Sequence, residues 1–422
     1  MAQPTARRSH HPASLARCVA ALALACALPF AAQAANCPLT EVSEADAWAL
    51  HSRVLSIDTH IDIDARYASV HHDPGGFTRG QNDLPKMRAG GLDAAFLILY
   101  TGQGALDEDG YRGAREIAEN LYQGIHRMVR AYPEQVGLAT RADDVLTLHA
   151  QGKRAVLIGM ENAYPLGASV EDVPMWAARG VRYVGLTHMG NNQFGGSSNP
   201  NPELGDAEAD PGLTPLGRQL VAALNDAGIM IDVSHVGPRS MLEATRLSRA
   251  PVIASHSGAM GVHRNLRNLE DAQLDAIRAS GGVAQMVAFR DYVGDVDPVI
   301  KEGQQALRER HFPEGWAKAT PEAVAAYQAG VAALRKANRD VTLADFVDHI
   351  DYAVRRIGIA HVGIASDFDG GGGVAGWNDA SETTNVTREL MRRCYSEEQI
   401  RALWGGNLLR VMRDVQARAK AP

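Results

Sequence analysis

Two short runs, Met230-Ile-Asp-Val-Ser-His235 and Pro251-Val-Ile-Ala-Ser-His-Ser257, decide how the chain is read. Each is apolar, rich in β-branched residues and carries a histidine at or near its end, so each predicts a buried strand delivering an imidazole to its C-terminal tip. One such run signifies little, because an isolated histidine at a strand end is commonly a packed or solvated residue. The same pattern returns in Val54-Leu-Ser-Ile-Asp-Thr-His60 with Asp62 two residues on, and in Ala155-Val-Leu-Ile-Gly-Met-Glu161. It returns again in Tyr183-Val-Gly-Leu-Thr-His188 and Val362-Gly-Ile-Ala-Ser-Asp367. Polar ends on six strands predict one shared site, since Asp, Glu and His are not the residues a packing core selects.

The runs between these strands carry helix signals. Thr214 stands where an N-cap belongs, Pro215 at the first helical position and Gly228 just past the end, which predicts a helix between them. Further helices are expected at about 111–131, 173–179, 238–247 and 271–279, with strands at 94–100 and 283–289 completing a set of eight. A mostly helical insertion at about 291–355 separates the seventh strand from the eighth. Eight apolar strands alternating with helices imply parallel pairing through right-handed crossovers. Eight is the number that closes a TIM-type (β/α)8 barrel, where functional side chains sit at the C-terminal strand ends. The competing doubly wound sheet lacks its fingerprint, because no Gly-x-Gly-x-x-Gly follows the first strand and Gly370 to Gly373 comes only after the last.

Composition limits the chemistry. The chain has 422 residues, 45% hydrophobic and 22% charged, with a formal net charge of −7. No basic block is present, so neither a nucleic-acid footprint nor a polybasic membrane patch is expected, and small molecules are the expected partners. Imidazoles and carboxylates together are ligands for a borderline divalent cation. His60 and Asp62 share the period-two spacing that places both on one face of an extended segment. With Glu161, His235 and His256 they make five ligands. That exceeds what one catalytic zinc with an open position takes, and suits two zinc ions per chain sharing Glu161.

From about Leu55 to Val411 the sequence resembles the membrane dipeptidase (renal dipeptidase) family of amidohydrolase-like barrels. The stretches that carry the resemblance are Asp58-Thr-His-Ile-Asp62, Gly159-Met-Glu161, Leu186-Thr-His188, Leu213-Thr-Pro-Leu-Gly217, Ile231-Asp-Val-Ser-His235, Ser255-His-Ser257, Arg267-Asn268, Ser366-Asp-Phe-Asp-Gly370 and Gly405-Gly-Asn407. The resemblance implies a zinc-dependent dipeptidase using a metal-bridged hydroxide. His60, Asp62 and Glu161 would hold one zinc, and Glu161, His235 and His256 the other. It also implies that His188 and Arg267 bind the substrate and that Asp367 binds it and moves protons. Dipeptides with a free C-terminal carboxylate, L-D dipeptides among them, are the implied substrates, and a homodimer is left open. The competing reading is another barrel amidohydrolase, an acyl-amino-acid amidase, lactonase or esterase with the same metal pair. Asp64, Arg264 and Asp369 are the local competitors of Asp62, Arg267 and Asp367. Ile61 stands where family members often carry asparagine, and Ala65 and Arg66 where a proline or leucine is common, so the resemblance does not carry over the pocket shape beside the first metal.

The first 34 residues read as a secretory leader: Arg7, Arg8 and Arg17 precede the apolar run Cys18 to Ala32, and Ala32-Gln-Ala34 supplies a small-x-small cleavage pattern. A single barrel domain, 35–422, is expected in the periplasm, without an integral membrane span. Its last residues, Arg413 to Pro422, hold no apolar tail of the kind a lipid anchor requires. An oxidising compartment also permits a Cys37–Cys394 disulfide. Intact-mass measurement of protein recovered from the periplasm should place the mature N-terminus near Ala35; recovery of the full-length chain from the cytoplasm would refute export.

Overall fold

A computed structural model of the chain describes residues 1, 41–206, 210–313 and 320–420. Nearly all of the expected leader, and Cys37 with it, lies outside the described residues. The chain divides into units spanning residues 1–36 and 37–422, and the fold is that of the second. Helix α1 (Glu44–His51) leads into β1 (Ile57–Ile61), α2 (Leu84–Gly90), β2 (Ala94–Tyr100) and α3 (Glu108–Ala131). Next come β3 (Val136–Leu138), α4 (Ala142–Ala150), β4 (Arg154–Glu161), α5 (Val173–Ala178) and β5 (Val181–Gly185). Then follow α6 (Pro215–Ala227), β6 (Met230–Asp232), α7 (Pro238–Leu247), β7 (Ile253–Ser257), α8 (Asp271–Ala279) and β8 (Val283–Val287). After α9 (Arg290–Val293), α10 (Pro298–His311), α11 (Pro321–Ala337) and α12 (Leu343–Ile357), the sheet ends with β9 (Val362–Ala365).

Every strand pair is parallel, in the order β1-β2-β4-β5-β6-β7-β8-β9. The ring closes between the ends of β1 and β9, where the Asp367 amide donates to the His60 carbonyl at 3.1 Å and the Asp62 amide to the Phe368 carbonyl at 2.9 Å. This is the TIM-type barrel that eight βα units predict, with its functional end at the strand C-termini. The ninth strand was not legible in sequence. Val136–Leu138 pairs with the first half of β4, Val136 opposite Arg154, whereas β5 takes up pairing only from Ile158. Three residues are too few to show a period.

The helix signals held where capping chemistry was explicit. The Thr214 side chain accepts from the Gly217 amide, and Gly228 takes the left-handed conformation, φ 68°, at the end of α6. The long segment from Asp291 is divided. Helices α10 and α11 form a hairpin whose close approach rests on Gly303 and Gly330, where a Cβ would crowd Leu334 and Leu307 respectively. Helix α12 instead packs on α8, β8 and β9 and is the barrel's own helix between the last two strands. The expected insertion therefore ends before Leu343, because α12 buries Phe346, Val347, Ile350 and Val354 against the barrel. No helix among the described residues is long and apolar enough to cross a membrane.

The core gathers Ile57, Phe96, Ile98, Leu157, Tyr183, Met230, Ile253 and Val283 from the strands, with Leu408, Val411 and Met412 from the C-terminal helix α15 (Asn407–Ala417), reached through α13 (Thr384–Arg392) and α14 (Glu397–Arg401). Within it, the Tyr183 ring lies over the Gly159 backbone so closely that a Cβ at Gly159 would collide with it. Gly159→Ala should thus destabilise the fold by about 1–3 kcal/mol through overpacking. In urea denaturation the midpoint should fall with the m-value unchanged.

Candidate metal centre

The strand ends converge as their sequence pattern predicts, but by two different backbone routes. His60, Glu161 and His256 lie within β1, β4 and β7 themselves, so the pleat alone aims them. His188, His235 and Asp367 sit two or three residues beyond β5, β6 and β9, on the turns. His235 and Asp367 adopt left-handed backbone, φ 65° and 59°, as does Asn162 immediately after Glu161, φ 70°. Such conformations cost a β-carbon-bearing residue roughly 1–2 kcal/mol and persist where surrounding contacts over-determine them. Here they turn side chains inward that an extended continuation would send elsewhere.

Glu161 is the centre of the cluster. Its Oε1 lies 3.0 Å from His235 Nε2, 3.3 Å from His256 Nε2 and 3.9 Å from His188 Nε2, and its Oε2 lies 3.6 Å from His60 Nε2. His60 Nε2 is also 3.8 Å from Asp62 Oδ2. Ligand-type atoms of His60, Glu161 and His256 lie within 4.8 Å of one another, as do those of Glu161, His188 and His235, and those of His60, Asp62 and Asp367. The last triad depends on Gly370, where a Cβ would collide with both the Asp62 and the Asp367 carboxylates.

The electrostatics call for positive charge. Burial works against a charged His60, yet Glu161 and Asp62 outweigh it and hold the imidazole up at about 10. Burial raises the Asp62 carboxyl well above its ordinary value, and Glu161 and Asp367 add to the rise. Burial likewise pushes Asp367 up to about 7. For Glu161 the four surrounding imidazoles overcome burial and keep it ionised. Several buried atoms have no hydrogen-bond partner: His60 Nε2, Asp62 Oδ1 and His235 Nδ1. Orphaned donors and acceptors of this kind are rare without a function, and a set of N and O atoms around a buried carboxylate fits divalent cations.

Beside this cluster lies Arg267, 3% exposed, with Nη2 donating to the His256 carbonyl at 3.0 Å and Nε unpartnered. Its guanidinium sits 5.2 Å from the centroid of the Tyr292 ring. The local competitors fall away. Arg264 is exposed, Asp64 faces solvent and pairs with Arg66 and His72 at 3.3 Å, and Asp369 accepts from the Gln81 and Asn82 amides, tying the β1 loop to the β9 end. Sequence reasoning missed Tyr100, whose ring meets His188 edge-on at 4.8 Å, and Tyr292, since a lone tyrosine at a strand end or in a loop carries no spacing signal. Cys394 is disulfide-bonded; its expected partner, Cys37, lies outside the described residues.

The sequence profile of the membrane dipeptidase family, peptidase family M19, matches residues 44–422. Dipeptidase tcpJ of Claviceps purpurea is 30% identical over 342 residues, which is 80% of this chain and 70% of that protein. The crystal structure of the probable dipeptidase PvdM from Pseudomonas aeruginosa has a TM-score of 0.78 at 37% identity, covering 89% of this chain and 99% of that one. A metallopeptidase of Rhodobacter sphaeroides, solved with a phosphinate mimic of the dipeptide L-Ala-D-Ala, shares the fold with a TM-score of 0.68 at 23% identity, over 86% of this chain and 99% of its own. With a family profile spanning the whole barrel, the chain belongs to the membrane dipeptidase family, peptidase family M19, and is a metallodipeptidase.

Proposed function

We propose that the enzyme is a two-zinc dipeptidase for substrates with a free C-terminal carboxylate, L-D dipeptides among them. The observation that carries this reading is the pairing of two opposite receptors: a carboxylate-rich cation site centred on Glu161, and the buried, under-bonded guanidinium of Arg267 alongside it. A charged group withdrawn from water with donors unpaired is costly. A substrate carboxylate accepting from the unpartnered Nε offsets that cost with a charge-assisted bond. An anion receptor adjacent to the cation site favours a short substrate, whose carboxylate lies one residue beyond the scissile bond. The L-D part of the reading rests on the family resemblance.

His60, Asp62 and Glu161 would hold one ion and Glu161, His235 and His256 the other. Bound there, the ions supply Lewis-acid polarisation of the peptide carbonyl and a water acidified toward neutrality. Asp367, whose carboxylate burial makes a better proton acceptor, accepts the proton of the attacking water and returns it to the leaving amine. His188, whose own proton affinity burial lowers, faces Glu161 from the β5 turn and donates a hydrogen bond to the carbonyl oxygen as charge develops on it. Arg267 fixes the carboxylate end, and Tyr292 against its face keeps the guanidinium in place. Export to the periplasm, read from the leader, completes the proposal.

Metal analysis of protein prepared with zinc in excess should find about two ions per chain, and Glu161→Ala should disturb both. Wild-type protein that binds a single ion under those conditions would refute the bridging role. Arg267→Ala should weaken productive binding of a free dipeptide by a few kcal/mol, and should matter far less for its C-terminal amide. Asp367→Asn keeps the five proposed ligands but cannot accept a proton. Its kcat should fall by roughly 10²- to 10⁴-fold with zinc content retained; a near-wild-type kcat would remove Asp367 from proton transfer.

A further inference from the structure

Beneath the metal cluster the barrel interior is polar where such barrels are ordinarily filled by branched apolar side chains. Thr59, Tyr183, Asp232 and Ser255 are each at most 1% exposed and lie directly below His60 and His256. Their hydrogen bonds form two short chains, each ending on an imidazole. His60 Nδ1 is 2.9 Å from the Tyr183 hydroxyl, and that hydroxyl is 3.1 Å from the Thr59 carbonyl oxygen. A carbonyl can only accept, so the single phenolic proton goes to Thr59 and the imidazole must be the donor in the other bond. His256 repeats the logic with different parts. Its Nδ1 lies 2.8 Å from Ser255 Oγ, which gives its one proton to Asp232 Oδ2 at 2.7 Å. Asp232 is fixed in turn, its Oδ1 accepting from the Ser234 amide at 3.0 Å and the Ser255 amide at 2.8 Å.

We propose that Tyr183 and the Ser255–Asp232 pair are positioning residues that hold His60 and His256 in the Nδ1–H form, so that both Nε2 lone pairs meet at the cation site beside Glu161. The proposal rests on the two-metal reading and deepens it. An imidazole can ligate only through a nitrogen that carries no proton, and a hydrogen bond at the opposite nitrogen decides which one that is. The far side of each ring faces the cation site: His60 Nε2 has no hydrogen-bond partner, and His256 Nε2 lies 3.3 Å from Glu161 Oε1 and 2.9 Å from His235 Nε2. Two strands apart, a phenol and a serine thus perform one task. The phenol is long enough to reach His60 from β5, across the barrel interior. Ser255, the immediate neighbour of His256 on β7, needs only a hydroxyl.

The test compares Tyr183→Phe, Ser255→Ala and Ser255→Thr with wild type by competition against a chromophoric zinc chelator, by the visible spectrum of the cobalt-substituted protein, and by thermal unfolding of the metal-free forms. Tyr183→Phe and Ser255→Ala should each lose metal affinity by roughly 10- to 100-fold, with a shifted cobalt spectrum and metal-free forms that still unfold cooperatively. Ser255→Thr, which restores a hydroxyl, should bring affinity and spectrum back toward wild type. Wild-type affinity in either folded single variant overturns the role of that residue. A threonine variant no better than alanine overturns the hydroxyl argument. If Tyr183→Phe does not fold, the serine pair decides the matter alone. A wild-type protein that binds no metal would sink the two-metal reading itself, whereas normal wild-type binding with unaffected variants sinks only this inference.

Discussion

Glu161 ends a strand buried at every residue but its first, is itself 4% exposed, and has four imidazole nitrogens within 3.9 Å. A carboxylate in that position must be compensated, because the cost of desolvating it exceeds what ordinary hydrogen bonds return. The imidazoles supply part of the compensation, and the added carboxylates of Asp62 and Asp367 leave the cluster with more acceptors than its own protons can satisfy. That imbalance makes the site a receptor for cations. It also explains why so much of the barrel mouth is built to hold side chains still. A charge constellation that relaxed by turning outward would lose both its affinity and its geometry.

The barrel supplies that rigidity through its seam. The bonds that close the ring, Asp367 to His60 and Asp62 to Phe368, join the backbones of four residues, three of which place side chains in the cluster. Asp58, fully buried on β1, reinforces the same seam by accepting from the His60 amide at 3.2 Å and the Ser366 amide at 3.1 Å. Closure of the fold and assembly of the site are therefore one event. The left-handed turn at Asp367 is sustained by the same closure, whereas that at His235 is held by the Ser198 amide and the Thr187 hydroxyl, which donate to its carbonyl at 2.8 and 3.2 Å. Arg267 depends on the next shell outward. The loop that carries it is tied down where Asn268 donates to the Tyr292 carbonyl at 2.7 Å and Asn265 to the Asp291 carbonyl at 2.8 Å. The chain segment entering the α10–α11 hairpin thus fixes the Arg267 loop from outside the barrel.

Membership of the dipeptidase family gives these features their common purpose. In the proposed reading, cation and anion receptors placed side by side would measure the length of a dipeptide, one meeting its peptide carbonyl and the other its terminal carboxylate, above a polar floor proposed to set which nitrogen His60 and His256 offer. The Tyr100 ring packs edge-on against His188, and the Tyr292 ring lies against the Arg267 guanidinium.

The amino-acid sequence by itself determined the eight barrel strands, their parallel order and the residues at their tips. Apolar runs of β-branched residues ending in His, Glu or Asp are local patterns that persist whatever the chain does elsewhere. It likewise determined the ends of α6, because Thr214, Pro215 and Gly228 act through the backbone of their own helix. The tertiary structure decided what spacing does not encode. Asp367 rather than Asp369 enters the cluster because Asp369 is engaged by amides of the β1 loop, almost three hundred positions away in sequence. Arg267 rather than Arg264 turns inward because the His256 carbonyl and the Tyr292 ring wait for it there. Helix α12 joined the barrel and left the insertion because its apolar face found α8 and the last two strands. The hydrogen bonds of Tyr183, Ser255 and Asp232 became visible only once the strands were closed into a ring, since bonds between side chains on different strands have no period in the sequence that specifies them.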